Sequence, residues 1–117
     1  RVVSKATTDA THSSDRFCML LNPTNAASTM VKANVKKKTC LQEGGSMVEM
    51  TMIDTIVSES TFGPVDVLKI DVEGFEAWSF EGARNLLETQ PPKAVIAEWI
   101  GFRIKDSGWP HEPTFFF

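Results

Sequence analysis

The stretch that most limits what this chain can fold into is Val65-Asp66-Val67-Leu68-Lys69-Ile70-Asp71-Val72. It is rich in branched apolar side chains and runs into Gly74 and a helix-like segment, so it reads as a buried parallel strand entering a crossover. Behind Gly82, Ala83, Leu86 and Leu87 fall at i, i+3 and i+4 and give one apolar helix face. Pro91-Pro92 stops that helix. Ala94-Val95-Ile96-Ala97 is a second continuous apolar run, closed by Glu98. Strand, helix and strand with short links make a βαβ unit, whose handedness puts the helix on one face of a parallel sheet. The expected class is α/β.

Upstream the pattern is weaker. Ala6 to Arg16 is polar and without apolar period, and reads as loop. Phe17-Cys18-Met19-Leu20-Leu21 reads as a strand stopped by Asn22-Pro23, with turn chemistry from Asn22 to Ser28 and an ambiguous segment from Met30 to Val35. Gly44-Gly45 marks a bend. Val48, Met50 and Met52 alternate with Glu49 and Thr51, the period of a strand with one wetter face. Asp54-Thr55-Ile56-Val57 then begins a short helix with Asp54 as its N-cap, closed by Gly63-Pro64.

With 117 residues and 42% apolar side chains, one domain over 1–117 is expected. The net charge is −3 and only Lys36-Lys37-Lys38 forms a basic run, which reads as solvated loop, so no nucleic-acid partner is expected. No run reaches the roughly 18 apolar residues that span a bilayer, and Arg1 to Lys5 has no secretory core. Cys18 and Cys40 can form one bridge; the expectation is two reduced, packed thiols in a reducing, by default cytoplasmic, compartment.

In open α/β sheets ligands bind beyond the carboxyl ends of the strands, so the residues that end the apolar strands are the candidates. Here they are acidic: Asp71-Val72-Glu73-Gly74 after the first strand and Glu98-Trp99 after the second. Alternation sets Lys69 and Asp71 on one strand face and Ile70 and Val72 on the other. One account is a mutual ion pair, or a pair with Glu98, that holds the sheet end together. The other has Asp71 and Glu73 project into the crevice as a general base for a substrate hydroxyl or as ligands of a divalent metal. Gly74 lets the backbone turn sharply at the strand-to-helix junction, while Trp78 and Phe80 read as core or crevice wall. His12 and His111 have no metal-like spacing and receive no role, and no glycine-rich dinucleotide or phosphate loop is present.

Thr51-Met52-Ile53-Asp54-Thr55-Ile56, then Val67-Leu68-Lys69-Ile70-Asp71-Val72-Glu73-Gly74-Phe75-Glu76, then Gly82-Ala83 with Leu86-Leu87, and Ala97-Glu98, resemble the FkbM methyltransferase pattern in order and spacing, best over 47–100. The resemblance implies a class I methyltransferase fold, a Rossmann-like, doubly wound and mostly parallel sheet. It implies S-adenosylmethionine as cofactor and O-methylation of a sugar or small-metabolite hydroxyl, hence a small-molecule or glycan acceptor. The family's cofactor loop and ribose-binding acid lie on its first two strands, and this sequence begins after both. A partial domain that lacks the main cofactor loop is therefore expected, with exposed sheet edges and marginal stability.

By the same resemblance the adenine passes near Ala6 to Asp9, with Ala6 and Asp9 as cofactor contacts. Asp71 is the base or a metal-linked residue, Glu73 its partner or a substrate contact, Lys69 the group that orients Asp71, and Glu98 and Trp99 are substrate contacts. A looser likeness to metal-dependent catechol-type enzymes is what brings a divalent metal at Asp71 into consideration. The competing expectation is a non-catalytic αβ module that binds no cofactor.

Overall fold

The computed structural model describes residues 2–13, 15–24, 30–32 and 35–110. Arg1, the Asn25 to Ser28 part of the turn expected over Asn22 to Ser28, His111 and Phe115-Phe116-Phe117 lie outside the described residues. In chain order the elements are β1 (Ala6–Thr7), β2 (Arg16–Leu20), β3 (Met30–Lys32), α1 (Lys37–Gln42), β4 (Ser46–Thr51), α2 (Ile53–Ser58), β5 (Val67–Ile70), α3 (Glu76–Glu81), α4 (Arg84–Thr89), β6 (Ala94–Ala97) and α5 (Gly101–Asp106). Among the described residues no helix is long and apolar enough to cross a membrane.

The βαβ unit forms as its sequence dictates. β5 and β6 pair in parallel with Val67 opposite Ala94 and Ile70 opposite Ala97, and α3 and α4 make the crossover. Alternation turns Leu68 and Ile70 onto a core of Ile53, Phe80, Ala83 and Leu86, and leaves Val67 and Lys69 exposed. The strand is shorter than its apolar run suggested, because Val65, Asp66, Asp71 and Val72 lie outside the ladder.

The remaining strands make a mixed sheet, not an extension of a doubly wound parallel one. Its order is β1-β4-β2-β3; β1 runs parallel to β4, and β2 runs antiparallel to both β4 and β3. The described chain is thus a mixed α/β fold with a four-stranded and a two-stranded sheet. Phe17, Met50 and Phe75 form a second core cluster beneath the larger sheet, and Val72 packs against both clusters.

Four expectations are corrected. Ala6-Thr7, read as loop, is a strand, because Ala6 aligns with Met50 and Thr7 with Thr51, a partner more than forty positions away that local patterning cannot reveal. Lys37 and Lys38 belong to α1 and not to a loop. Asp54 does not cap its own helix: Met52 is the N-cap of α2, and the Asp54 carboxylate accepts from Asn85 N at 2.9 Å and Leu86 N at 2.8 Å, capping α4 instead. Cys18 and Cys40 are joined in a disulfide, with both residues fully buried, so the reduced pair and the reducing compartment it implied are not supported.

Candidate active site at the ends of two parallel strands

Because β5 and β6 end in register, the residues that follow them arrive side by side. Glu98 N donates to Ile70 O at 3.2 Å, which carries the ladder one step past β6 and sets Glu98 next to the start of the Asp71 to Glu73 turn. Oxygens of Asp71, Glu73 and Glu98 lie within 4.8 Å of one another. Two residues from one strand end and one from the next are therefore brought together, as expected for a crevice beyond the carboxyl edge of a parallel pair.

The turn that carries them is tightly determined. Glu73 has φ 52° and Gly74 φ 108°, so two successive residues sit in the left-handed region; for a glutamate this costs on the order of 1 kcal/mol or more and persists only where the surroundings enforce it. The enforcing group is Glu76. Its carboxylate is buried and accepts from Val72 N at 3.2 Å and from Gly74 N at 3.0 Å, so the first residue of α3 folds back over the turn before it. Gly74 meets a second demand: a Cβ there would lie 2.8 Å from the Cβ and carbonyl oxygen of Arg103, so the backbone of α5 rests directly on the turn. From that seat the Arg103 guanidinium reaches back to pair with Glu73 Oε2, an oxygen enclosed by protein.

Lys69 takes the place alternation gave it, with Nζ 3.4 Å from Asp71 Oδ2 on the open face of β5. Both groups are well exposed, so the contact contributes little to the stability of the fold. Asp71 and Glu73 also line a cavity of about 260 Å³ with Ala6, Thr7, Val31, Met50, Val72 and Phe75. A neighbouring hollow of about 480 Å³ shares Glu73 and Phe75 and is bounded by Phe102, Arg103 and Asp106 of α5.

The other candidates divide. Ala6 reaches the first cavity, because its pairing with Met50 sets β1 beside it. Asp9 does not: it is buried and accepts from the His12 backbone N at 3.1 Å and from His12 Nδ1 at 2.7 Å. Burial pushes the Asp9 carboxyl upward, but the hydrogen bonds and charge of His12 more than offset this and leave it below its ordinary value. His12, given no role from sequence, is therefore the partner of Asp9 and stands edge-on to Trp78, with ring centroids 4.8 Å apart. Trp99 packs on the core beside Phe80. Glu76 and Arg103 were not singled out from sequence. An acid opening a helix just after a glycine turn is a visible signal for Glu76, whereas nothing local marks Arg103, thirty residues beyond its partner.

Parallel strands whose carboxyl ends present converging acids beside a cavity define an α/β protein with a candidate ligand site at the sheet edge. The Methyltransferase FkbM domain matches residues 4–115, and the chain belongs to that family. No curated protein and no solved structure matches it. Family membership suggests a methyltransferase that uses S-adenosylmethionine. Among the described residues there is no glycine-rich cofactor loop, while the cavity of about 260 Å³ adjoins the hollow of about 480 Å³ that shares Glu73 and Phe75 with it, the second within the roughly 300–1,000 Å³ of usual ligand sites.

Proposed function

We propose that this protein transfers a methyl group from S-adenosylmethionine to a hydroxyl of a sugar or other small metabolite, with Asp71 taking the hydroxyl proton. The observation that carries the reading is the convergence of Asp71, Glu73 and Glu98 at the ends of two parallel strands, in a chain of the FkbM methyltransferase family. An acceptor hydroxyl must lose its proton as its oxygen forms the new bond, and an oriented carboxylate within hydrogen-bond reach serves that need. In this scheme Lys69 orients Asp71, Glu73 and Glu98 hold the acceptor, and Ala6 lines the wall. Asp9 supports the wall through His12 and Thr8 without touching a ligand. The parallel β5–β6 unit with its helical crossover is the element this reading shares with a Rossmann-like sheet.

A second reading has one observation in its favour, the missing glycine cradle among the described residues: a non-catalytic αβ module that binds no cofactor. Calorimetric titration with S-adenosylmethionine separates the two. Saturable binding that survives Asp71→Asn supports the enzyme, since that side chain is assigned to the acceptor; no heat of binding in either protein supports the module.

A further inference from the structure

We propose that Arg103 is a built-in counter-cation that closes the acidic cluster, so that the site operates without a divalent metal. The proposal rests on reading Asp71, Glu73 and Glu98 as the acceptor site, but its test needs no turnover. Three carboxylates whose oxygens lie within 4.8 Å of one another have the spacing that a hard divalent cation requires. The chemistry of the set points elsewhere. Asp71 already has the Lys69 ammonium at 3.4 Å, and Glu73 has the Arg103 guanidinium against its enclosed oxygen. Three negative charges less two positive ones leave a net of −1, which a divalent ion would overturn to +1.

Displacing Arg103 is hard because both ends of its contact are fixed before it forms. On one side, Glu73 is held with φ 52° by the Glu76 latch. On the other, the Arg103 backbone lies against Gly74, where not even a methyl group fits, and Ile104 beside it is fully buried. The planar guanidinium suits a carboxylate. One Glu73 oxygen, Oε2, is engaged by Arg103. Arg103 is thus a positioning residue: it fixes the direction of Glu73 and cancels repulsion among the acids.

The test is Mn²⁺ titration of the folded protein, read by the loss of free Mn²⁺ signal in electron paramagnetic resonance, for the wild type, Arg103→Met and Arg103→Lys. Methionine keeps an apolar stem against Gly74 and removes the charge. The wild type and Arg103→Lys are expected to show no stoichiometric site, and Arg103→Met to gain one at least about tenfold tighter, which Glu73→Gln then abolishes. One tight Mn²⁺ per wild-type chain, or no gain in a folded Arg103→Met, would overturn the proposal. Should Arg103→Met fail to fold, the wild-type and Arg103→Lys titrations still decide it. Failure here leaves the methyltransferase reading standing, because cofactor binding and transfer are measured separately.

From the Cys18–Cys40 bridge we infer, independently, that the protein works in an oxidising compartment. Cys18 of β2 and Cys40 of α1 are bonded and fully buried, and a Cβ on Gly45 would fall 2.7 Å and 2.9 Å from their two sulfurs, so the chain leaves room there for the bridge and nothing more. Cys40 is the one buried residue of α1, and the bridge ties that helix covalently to β2. Thiols in the cytosol are kept reduced, and a structural bridge of this kind belongs outside it. The decisive measurement is maleimide–polyethylene glycol trapping of protein taken from its native cells under acid quench. No mass shift before reduction, and two additions after reduction in denaturant, are expected; two additions without reductant would refute the inference. Reduction of the purified protein should also lower its melting temperature by roughly 10 °C, the loss expected on opening a loop of this length.

Discussion

Asp54 offers the sharpest quantitative check, because the structure moves it from an expected local cap to a long-range one. Its two carboxylate oxygens accept from Asn85 N at 2.9 Å and Leu86 N at 2.8 Å, at the start of a helix whose own N-cap, Ala83, has no side chain able to cap. Losing a helix cap costs about 1 kcal/mol, and a hydrogen bond to a charged group is worth about 1.5–3 kcal/mol where it is partly buried. The Leu86 amide is partly buried and the Asn85 amide is exposed, so only one bond is given the higher value. Asp54→Ala should therefore cost about 2 kcal/mol, and Asp54→Asn, which keeps one acceptor without the charge, about 1 kcal/mol. At roughly 4 °C per kcal/mol for a chain of this size, the melting temperature should fall by about 8 °C and 4 °C. Urea unfolding followed by tryptophan fluorescence gives the same quantities independently. A loss below about 0.5 kcal/mol for Asp54→Ala, or equal losses for both variants, would show that the carboxylate does not cap α4.

Gly82→Ala should destabilise by at least about 2 kcal/mol, because a Cβ there would overlap the carbonyl oxygen of buried Thr8, whose own amide is bonded to Thr51 O at 2.9 Å and cannot retreat. Gly63→Ala, with open space around its Cβ, should be neutral within about 0.5 kcal/mol, and the pair of thermal melts checks both. The folded Asp9 carboxyl titrates below its ordinary 3.8, so the folded state binds that proton less readily than the unfolded chain does. Its contribution to stability is complete above about pH 4 and is lost as pH falls through the lowered folded value; Asp9→Asn should flatten the acid limb of a stability–pH curve, and an unchanged limb would contradict the assignment.

What could be read in the sequence was whatever local pattern decides. Branched apolar runs gave β5 and β6, alternation put Lys69 beside Asp71 and Ile70 in the core, and the acids that end the two strands are the ones that converge. What could not be read depended on partners far along the chain. The polar Ala6-Thr7 becomes a strand only because β4 stands ready to pair with it. The Asp54 side chain turns to a helix some thirty residues on, and Arg103 finds Glu73 across a similar gap. Spacing did not distinguish a bridge from two thiols at Cys18 and Cys40, since the antiparallel pairing of β2 and β4 and the placement of α1 bring them together. The mixed sheet was hidden for the same reason: direction is set by how strands meet, and the FkbM pattern is densest over the β5–β6 half.

The measurement that tests the central claim most directly is transfer of radiolabelled methyl from S-adenosylmethionine to a panel of methyl glycosides and small hydroxylated metabolites, by the wild type and by Asp71→Asn of matched fold. The expected result is transfer by the wild type to at least one acceptor, reduced roughly 10²–10⁴-fold in Asp71→Asn with the loss in kcat. Equal transfer by the two proteins would remove Asp71 from the chemistry, and no transfer with no cofactor binding would leave a non-catalytic member of the family.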